Sequence, residues 1–223
     1  MSVSDIELID SAAATYTRTD PAIDDIDNAI RFFTSKAADG TTIIAVEGTH
    51  DPQGWALDFA ALDINAPNLF TDPRQHTAVH PALGMVHAGF LAAAIASLAR
   101  LQALAGSAPY AISGHSLGAA LALLCGGILS LSGQKPVKVG AFAPPRVGGP
   151  AFVAVMAGLP VTACRYSLDP VPMVPFTLPD FPYQQVPLIQ FTGPIFDSLN
   201  FRARCACHDI SRIMSQRFMG ALE

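Results

Sequence analysis

The sequence predicts an α/β fold with a mostly parallel central sheet and helices on both faces. Three observations predict it. From residue 85 onward, short apolar or β-branched runs alternate with helical apolar spacing, the pattern of a parallel sheet covered on both sides. Hydrophobic residues make up 51% of the 223 residues and charged residues 14%, which suffices for a large core and is far from a disordered composition. No linker-like stretch divides the chain, so a single domain over residues 1–223 is the economical organisation.

The elements follow in order. The amino terminus carries acidic residues where a secretory leader needs basic ones, and no apolar run follows, so no leader is read there. AIRFFTS and TTIIAVEG are β-branched and aromatic runs joined by KAADG, whose Asp39-Gly40 pair signals a turn; they read as a hairpin whose second strand ends at Gly48-Thr49. Between Met85 and Ala105, apolar residues recur at Val86, Phe90, Leu91, Ile95, Leu98 and Leu101, the spacing of a helix that packs one face on a sheet. PYAIS reads as a buried strand. A helix from Leu117 to about Leu131, a strand KVGAFAP, a short helix around Phe152 to Met156 and a strand VTACRYS ending near Asp169 continue the alternation. Prolines then recur from Asp169 to Pro194 and mark a loop-rich zone. A last strand near Val186 to Phe191 and a helix from about Asp209 to Met219 complete the series.

A net charge of -5 without any basic run argues against nucleic acid as a partner and gives anionic surfaces little attraction, so any transient lipid-interface contact should be apolar. The least charged stretch, Leu101 to Gln134, is interrupted by Gly106, Pro109, Gly114, His115 and Gly118 before a span of ~20 residues can form, so no transmembrane segment is expected. Cys125, Cys164, Cys205 and Cys207 are scattered in a chain read as leaderless, which favours reduced thiols and a cytoplasmic location, with leaderless export left open. Cys205, Cys207 and His208 lack a second ligand pair at finger-like spacing, so no metal site is expected there.

The chemistry is carried by Gly114-His115-Ser116-Leu117-Gly118, a G-x-S-x-G motif between a strand and a helix. A serine on so tight a turn is held at strained backbone angles with its hydroxyl exposed above the sheet, and the flanking glycines keep side chains off the neighbouring strand and helix. The helix amino terminus offers free N–H groups to a developing oxyanion, with Leu117 N–H as the first donor. A serine hydroxyl needs a histidine base that is itself held by a carboxylate. In this fold the chain order is Ser, acid, His; His208 is the only histidine after Ser116, and Asp169 directly follows an apolar run, whereas Asp180 and Asp197 follow no clear strand and Asp209 adjoins the base. Thr49 ends a strand, where it could equally begin an ordinary turn.

In order along the chain, AVEGT, VHAGF, ISGHSLGAALA, FAPPRVG and YSLDPVPMVP together resemble the class 3 lipases, the fungal-lipase-like branch of the α/β-hydrolases, from about Thr42 to His208. The resemblance implies the α/β-hydrolase fold, a Ser116, Asp169 and His208 triad, and Thr49 with Leu117 N–H as the oxyanion pair. It also makes His87 and Arg146 structural. Two residues depart from the family pattern: Glu47 stands where an arginine or similar residue is usual, and Pro144 where glycine is usual. The chain is also short between Asp169 and His208 relative to secreted relatives.

Within HDPQGWALDFAALDINAP, Trp55, Phe59 and Leu62 fall on one helical face. By resemblance the segment at about 50–63 is a lid that exposes this stripe at a lipid surface; a helix fixed permanently on the core is the alternative. The expected function is hydrolysis of carboxylic esters, acylglycerols or related lipid esters first, with a short-chain esterase or phospholipase as the rival. A non-catalytic ligand- or partner-binding protein on a hydrolase fold is the alternative of another class. No cofactor is implied, since the intermediate is covalent and protein dipoles stabilise the charge.

Overall fold

The computed structural model describes residues 3–25, 30–49, 77–192 and 207–215. The first element is a helix that the sequence reading omitted, α1 (Asp5–Ala14). Ser4 starts it with a reciprocal capping box: Glu7 N–H donates to Ser4 Oγ at 3.2 Å, and Ser4 N–H donates to Glu7 Oε2 at 2.8 Å. Leu8, Ile9 and Ala12 are its buried face. The S-x-x-E spacing was the available signal for this helix.

The strands are β1 (Ile23–Asp25), β2 (Ile30–Lys36), β3 (Thr42–Val46), β4 (Thr77–His80), β5 (Gly84–His87), β6 (Tyr110–His115), β7 (Lys138–Phe142), β8 (Val161–Tyr166) and β9 (Ile189–Phe191). The hairpin forms as expected, β2 pairing antiparallel with β3 from Phe32↔Val46 to Lys36↔Thr42. Beyond it β3, β6, β7, β8 and β9 run parallel, giving a seven-stranded sheet in the order β1-β2-β3-β6-β7-β8-β9. A parallel sheet needs cover on both faces, and the period-two alternation supplies two cores. Ile44, Ile112 and Val139 face the helices α2 (Ala88–Ala105), α3 (Leu117–Leu131) and α4 (Pro150–Ala157), whereas Ile43 and Ala111 face α1 and α5 (Ile210–Met214).

Four boundaries differ from the sequence reading: β3 ends at Val46, three residues before the expected Thr49, and the other three differ for local reasons. Met85 and Val86 belong to β5, which pairs with β4 in a separate two-stranded sheet, and α2 begins only at Ala88. His87 N–H donates to Val147 O at 2.8 Å, and Val86 bridges Gly148, so backbone partners hold this stretch extended. The last strand begins at Ile189 instead of Val186, since Pro187 has no N–H to give a ladder. In the final helix, Asp209 is the cap rather than the first turn: its Oδ1 accepts from Ser211 N–H at 2.9 Å.

Among the described residues one helix, α2, is long and apolar enough to cross a membrane by length and composition. Its buried residues Phe90, Leu91, Ala94 and Leu101 join the core that α3 fills. Every residue of α3 from Gly118 to Leu129 is buried, which explains why its composition carries no polar face.

Candidate active site

The parallel strands deliver their carboxyl ends to one edge, where such sheets place their sites. Three non-glycine residues there have left-handed backbones: Ser116 (φ 58°) after β6, Ala143 (φ 52°) after β7 and Ser167 (φ 47°) after β8. Each turn reverses the chain immediately after its strand. Such angles cost of order 1–3 kcal/mol each and persist only where the surroundings impose them.

At Ser116 the surroundings are legible. Its N–H donates to Phe142 O at 2.9 Å, which ties the elbow to β7. A Cβ on Gly114 would lie 2.3 Å from the carbonyl of Gly118, and one on Gly118 would lie 2.3 Å from Val46 O. Only glycine lets α3 start so close beneath β6 and β3. Leu117 is the first residue of α3, so its N–H has no acceptor within the helix. Thr49 lies three residues beyond the end of β3, half-buried, beside the elbow strand through the Val46↔Gly114 pairing.

The structure brings Ser116, His208 and Asp169 together. Ser116 Oγ lies 2.8 Å from His208 Nε2, and His208 Nδ1 lies 2.8 Å from Asp169 Oδ2. None of the three has exposed surface, so the Ser116 hydroxyl, expected to stand exposed above the sheet, is instead enclosed. Asp169 Oδ1 accepts from Val171 N–H at 2.9 Å, so both carboxylate oxygens are occupied and their orientation is set. A carboxylate at Nδ1 keeps a proton there and leaves Nε2 free to accept one from the serine, which is the arrangement an acyl-transfer site requires.

Glu47, the departure from the family pattern, is buried and meets Arg31 through two bonds, Nε to Oε2 at 2.6 Å and Nη2 to Oε1 at 3.0 Å. This bidentate pair neutralises the carboxylate beside the Gly48-Thr49 turn. Pro144 offers its carbonyl to Gln185 Nε2 at 2.8 Å. His87 caps α2, accepting from Phe90 N–H, and Arg146 Nη1 donates to Pro175 O at 3.0 Å; both are structural contacts.

Two polar side chains that sequence reading did not use lie beside these three residues. His115 is buried, with Nδ1 2.7 Å from the Tyr16 hydroxyl and Nε2 2.9 Å from the carbonyl oxygen of His208. Its ring stacks obliquely on that of His208, centroids 4.8 Å apart. Burial, and secondarily the neighbouring His208, hold its pKa well below the ordinary histidine value. Burial likewise raises the Tyr16 hydroxyl above the usual tyrosine range. Trp55, Phe59 and Leu62, with the lid-like segment at 50–63, lie outside the described residues.

Comparison with known proteins adds three findings. The family model for lipase (class 3) matches residues 43–178. No curated protein sequence matches the chain. Among solved structures, the lipase from Rhizopus microsporus var. chinensis aligns at 21% identity over 84% of this chain and 73% of its own, with a TM-score of 0.62. A triacylglycerol lipase from Penicillium expansum aligns at 16% identity over 85% and 78%, with a TM-score of 0.58. Lipase II from Rhizopus niveus aligns at 20% identity over 85% and 82%, with a TM-score of 0.56. At these identities the structural likeness speaks for the α/β-hydrolase fold alone.

Proposed function

The chain belongs to the class 3 lipase family and is an ester hydrolase of that type; from that premise we propose that it cleaves carboxylic esters of lipids through an acyl-enzyme on Ser116. The observation that carries this reading is the unbroken chain from Ser116 Oγ to His208 to Asp169, with both links at 2.8 Å and all three side chains buried.

In this mechanism Ser116 Oγ attacks the ester carbonyl carbon while its proton passes to His208 Nε2. Asp169 holds the proton on Nδ1 and stabilises the imidazolium. The carbonyl π electrons move to oxygen, and Leu117 N–H with the N–H and hydroxyl of Thr49 receives that charge. Collapse expels the alcohol, which takes the proton from Nε2, and water repeats the sequence to release the acid. The pairing of Glu47 with Arg31 supports the Thr49 role, because no uncompensated negative charge then stands beside the oxyanion.

Lipid as substrate is supported by the segment around and after the acid, where Leu168, Met173, Phe176 and Leu178 are 38%, 38%, 49% and 41% exposed. Apolar side chains so placed favour contact with an ester at an interface over one in free solution. On sequence grounds the Trp55, Phe59 and Leu62 stripe belongs to the same proposal. Activity of the purified protein on p-nitrophenyl esters of increasing chain length, each carried through its solubility limit, tests it. The long-chain esters should show a rise in rate where substrate separates from solution. Smooth saturation on short soluble esters alone would make the protein a soluble-ester esterase, and no turnover on any would leave the non-catalytic reading.

A further inference from the structure

We propose that Tyr16 and His115 clamp the backbone at His208 and so act as positioning residues for the base, an inference that rests on the triad reading above. The backbone carbonyl of His208 can only accept, so the His115 Nε2 that lies 2.9 Å from it must carry a proton. In a neutral ring Nδ1 is then bare, and the Tyr16 hydroxyl 2.7 Å away must be the donor. The direction of the whole relay follows: Tyr16 O–H to His115 Nδ1, and His115 Nε2–H to His208 C=O. His115 stays neutral because it is fully enclosed, so when His208 takes the serine proton no like charge faces it across the stacked rings.

The need for such a clamp lies in where His208 sits. It occupies a turn ahead of the five-residue helix α5, not a strand of the sheet. Asp169 orients the ring, but the ring can be no better placed than the backbone that bears it, and a misplacement of 1 Å costs about a hundredfold in rate. His115 is the last residue of β6 and adjoins Ser116, so the relay fastens the base to the strand that carries the nucleophile. Tyr16 closes the other side. A Cβ on Gly48 would lie 2.2 Å from its hydroxyl, which places Tyr16 against the end of the oxyanion strand as well. Tyr16 precedes the span that the family model matches, residues 43–178.

The test compares Tyr16→Phe, His115→Phe and His115→Gln with the wild-type protein in kcat, KM and Tm on p-nitrophenyl butyrate. It adds the ¹⁵N spectrum of histidine-labelled protein at neutral pH. Tyr16→Phe and His115→Phe keep an aromatic ring in place and remove the polar contacts; Tyr16→Phe should lower kcat about tenfold, the worth of one buried hydrogen bond, and His115→Phe, which loses both bonds, at least about tenfold, each with KM unchanged. His115→Gln, which can place an amide N–H about where Nε2–H stands, should recover most of that loss whatever its Tm. The spectrum should show His115 protonated at Nε2 and bare at Nδ1. Undiminished kcat in both ring-conserving variants, equal kcat losses in His115→Phe and His115→Gln, or a proton on Nδ1 would each overturn the clamp. If the wild-type protein turns over no ester, the function proposal fails, while the spectrum still decides the relay.

Discussion

His115 and Cys125 carry ionisable groups whose burial links stability to pH in opposite directions. The folded chain holds His115 well below its ordinary 6.5, so below that value the unfolded chain binds a proton that the folded one refuses. The stability this represents is complete above 6.5 and is lost as pH falls toward the folded value. Burial raises the Cys125 thiol from 9.0 to about 12, and Cys164 is raised for the same reason. Their contribution is complete below 9.0 and is lost as pH rises through the folded value. The urea midpoint should therefore be flat between these limits and fall on both sides, and His115→Gln should flatten the fall below pH 6.5. An equally steep fall in that variant would assign the acid limb to another group. Among single residues, the contacts that join Ser116, His208 and Asp169 were legible because chain order leaves few alternatives after Ser116. The Arg31–Glu47 pair was not, because it depends on two strands lying side by side and nothing in local sequence states that register. Tyr16 and His115 escaped notice for the same reason, being 99 residues apart.

At the scale of elements, the elbow makes a prediction about close approach. Gly118 and Gly127 lie on the same helix, α3, and differ in what a Cβ would meet: Val46 O at 2.3 Å for the first, Met156 Sδ at 3.4 Å for the second. Gly118→Ala must drive α3 away from β3, so denaturant unfolding should show a loss of at least about 2 kcal/mol. Gly127→Ala meets ordinary van der Waals contact and gains helix propensity, so it should lie within about 1 kcal/mol of wild type, on the stabilising side. A similar cost at both positions would mean that the packing beneath Ser116 is looser than described. The hairpin of β2 and β3 and the alternation from β6 to β8 were readable because their turn residues and apolar periods agree. At β5 they conflict, since Met85 and Val86 suit either period and only the backbone bonds to Val147 and Gly149 decide. α1 is announced only by the Ser4–Glu7 capping spacing, which the acidic residues of this terminus, read for a leader, do not bring out.

For the whole molecule, the sheet order explains how a site forms from distant segments. The neighbouring strands β3, β6, β7 and β8 end on one edge, which sets Thr49, Ser116 and Asp169 in a row, and His208 returns from beyond β9 to join them. The fold class followed from alternation and composition, but strand order did not, because periodicity carries no information about which strands are neighbours. The proposed function rests on Ser116 being an activated nucleophile. Mass-spectrometric mapping of the intact protein after brief exposure to a fluorophosphonate tests it most directly, since only a serine with a working base and oxyanion hole reacts quickly. One adduct is expected, on Ser116, and none on the Ser116→Ala protein; an unlabelled wild-type protein, or a label that persists in the variant, would overturn the assignment of Ser116 as nucleophile.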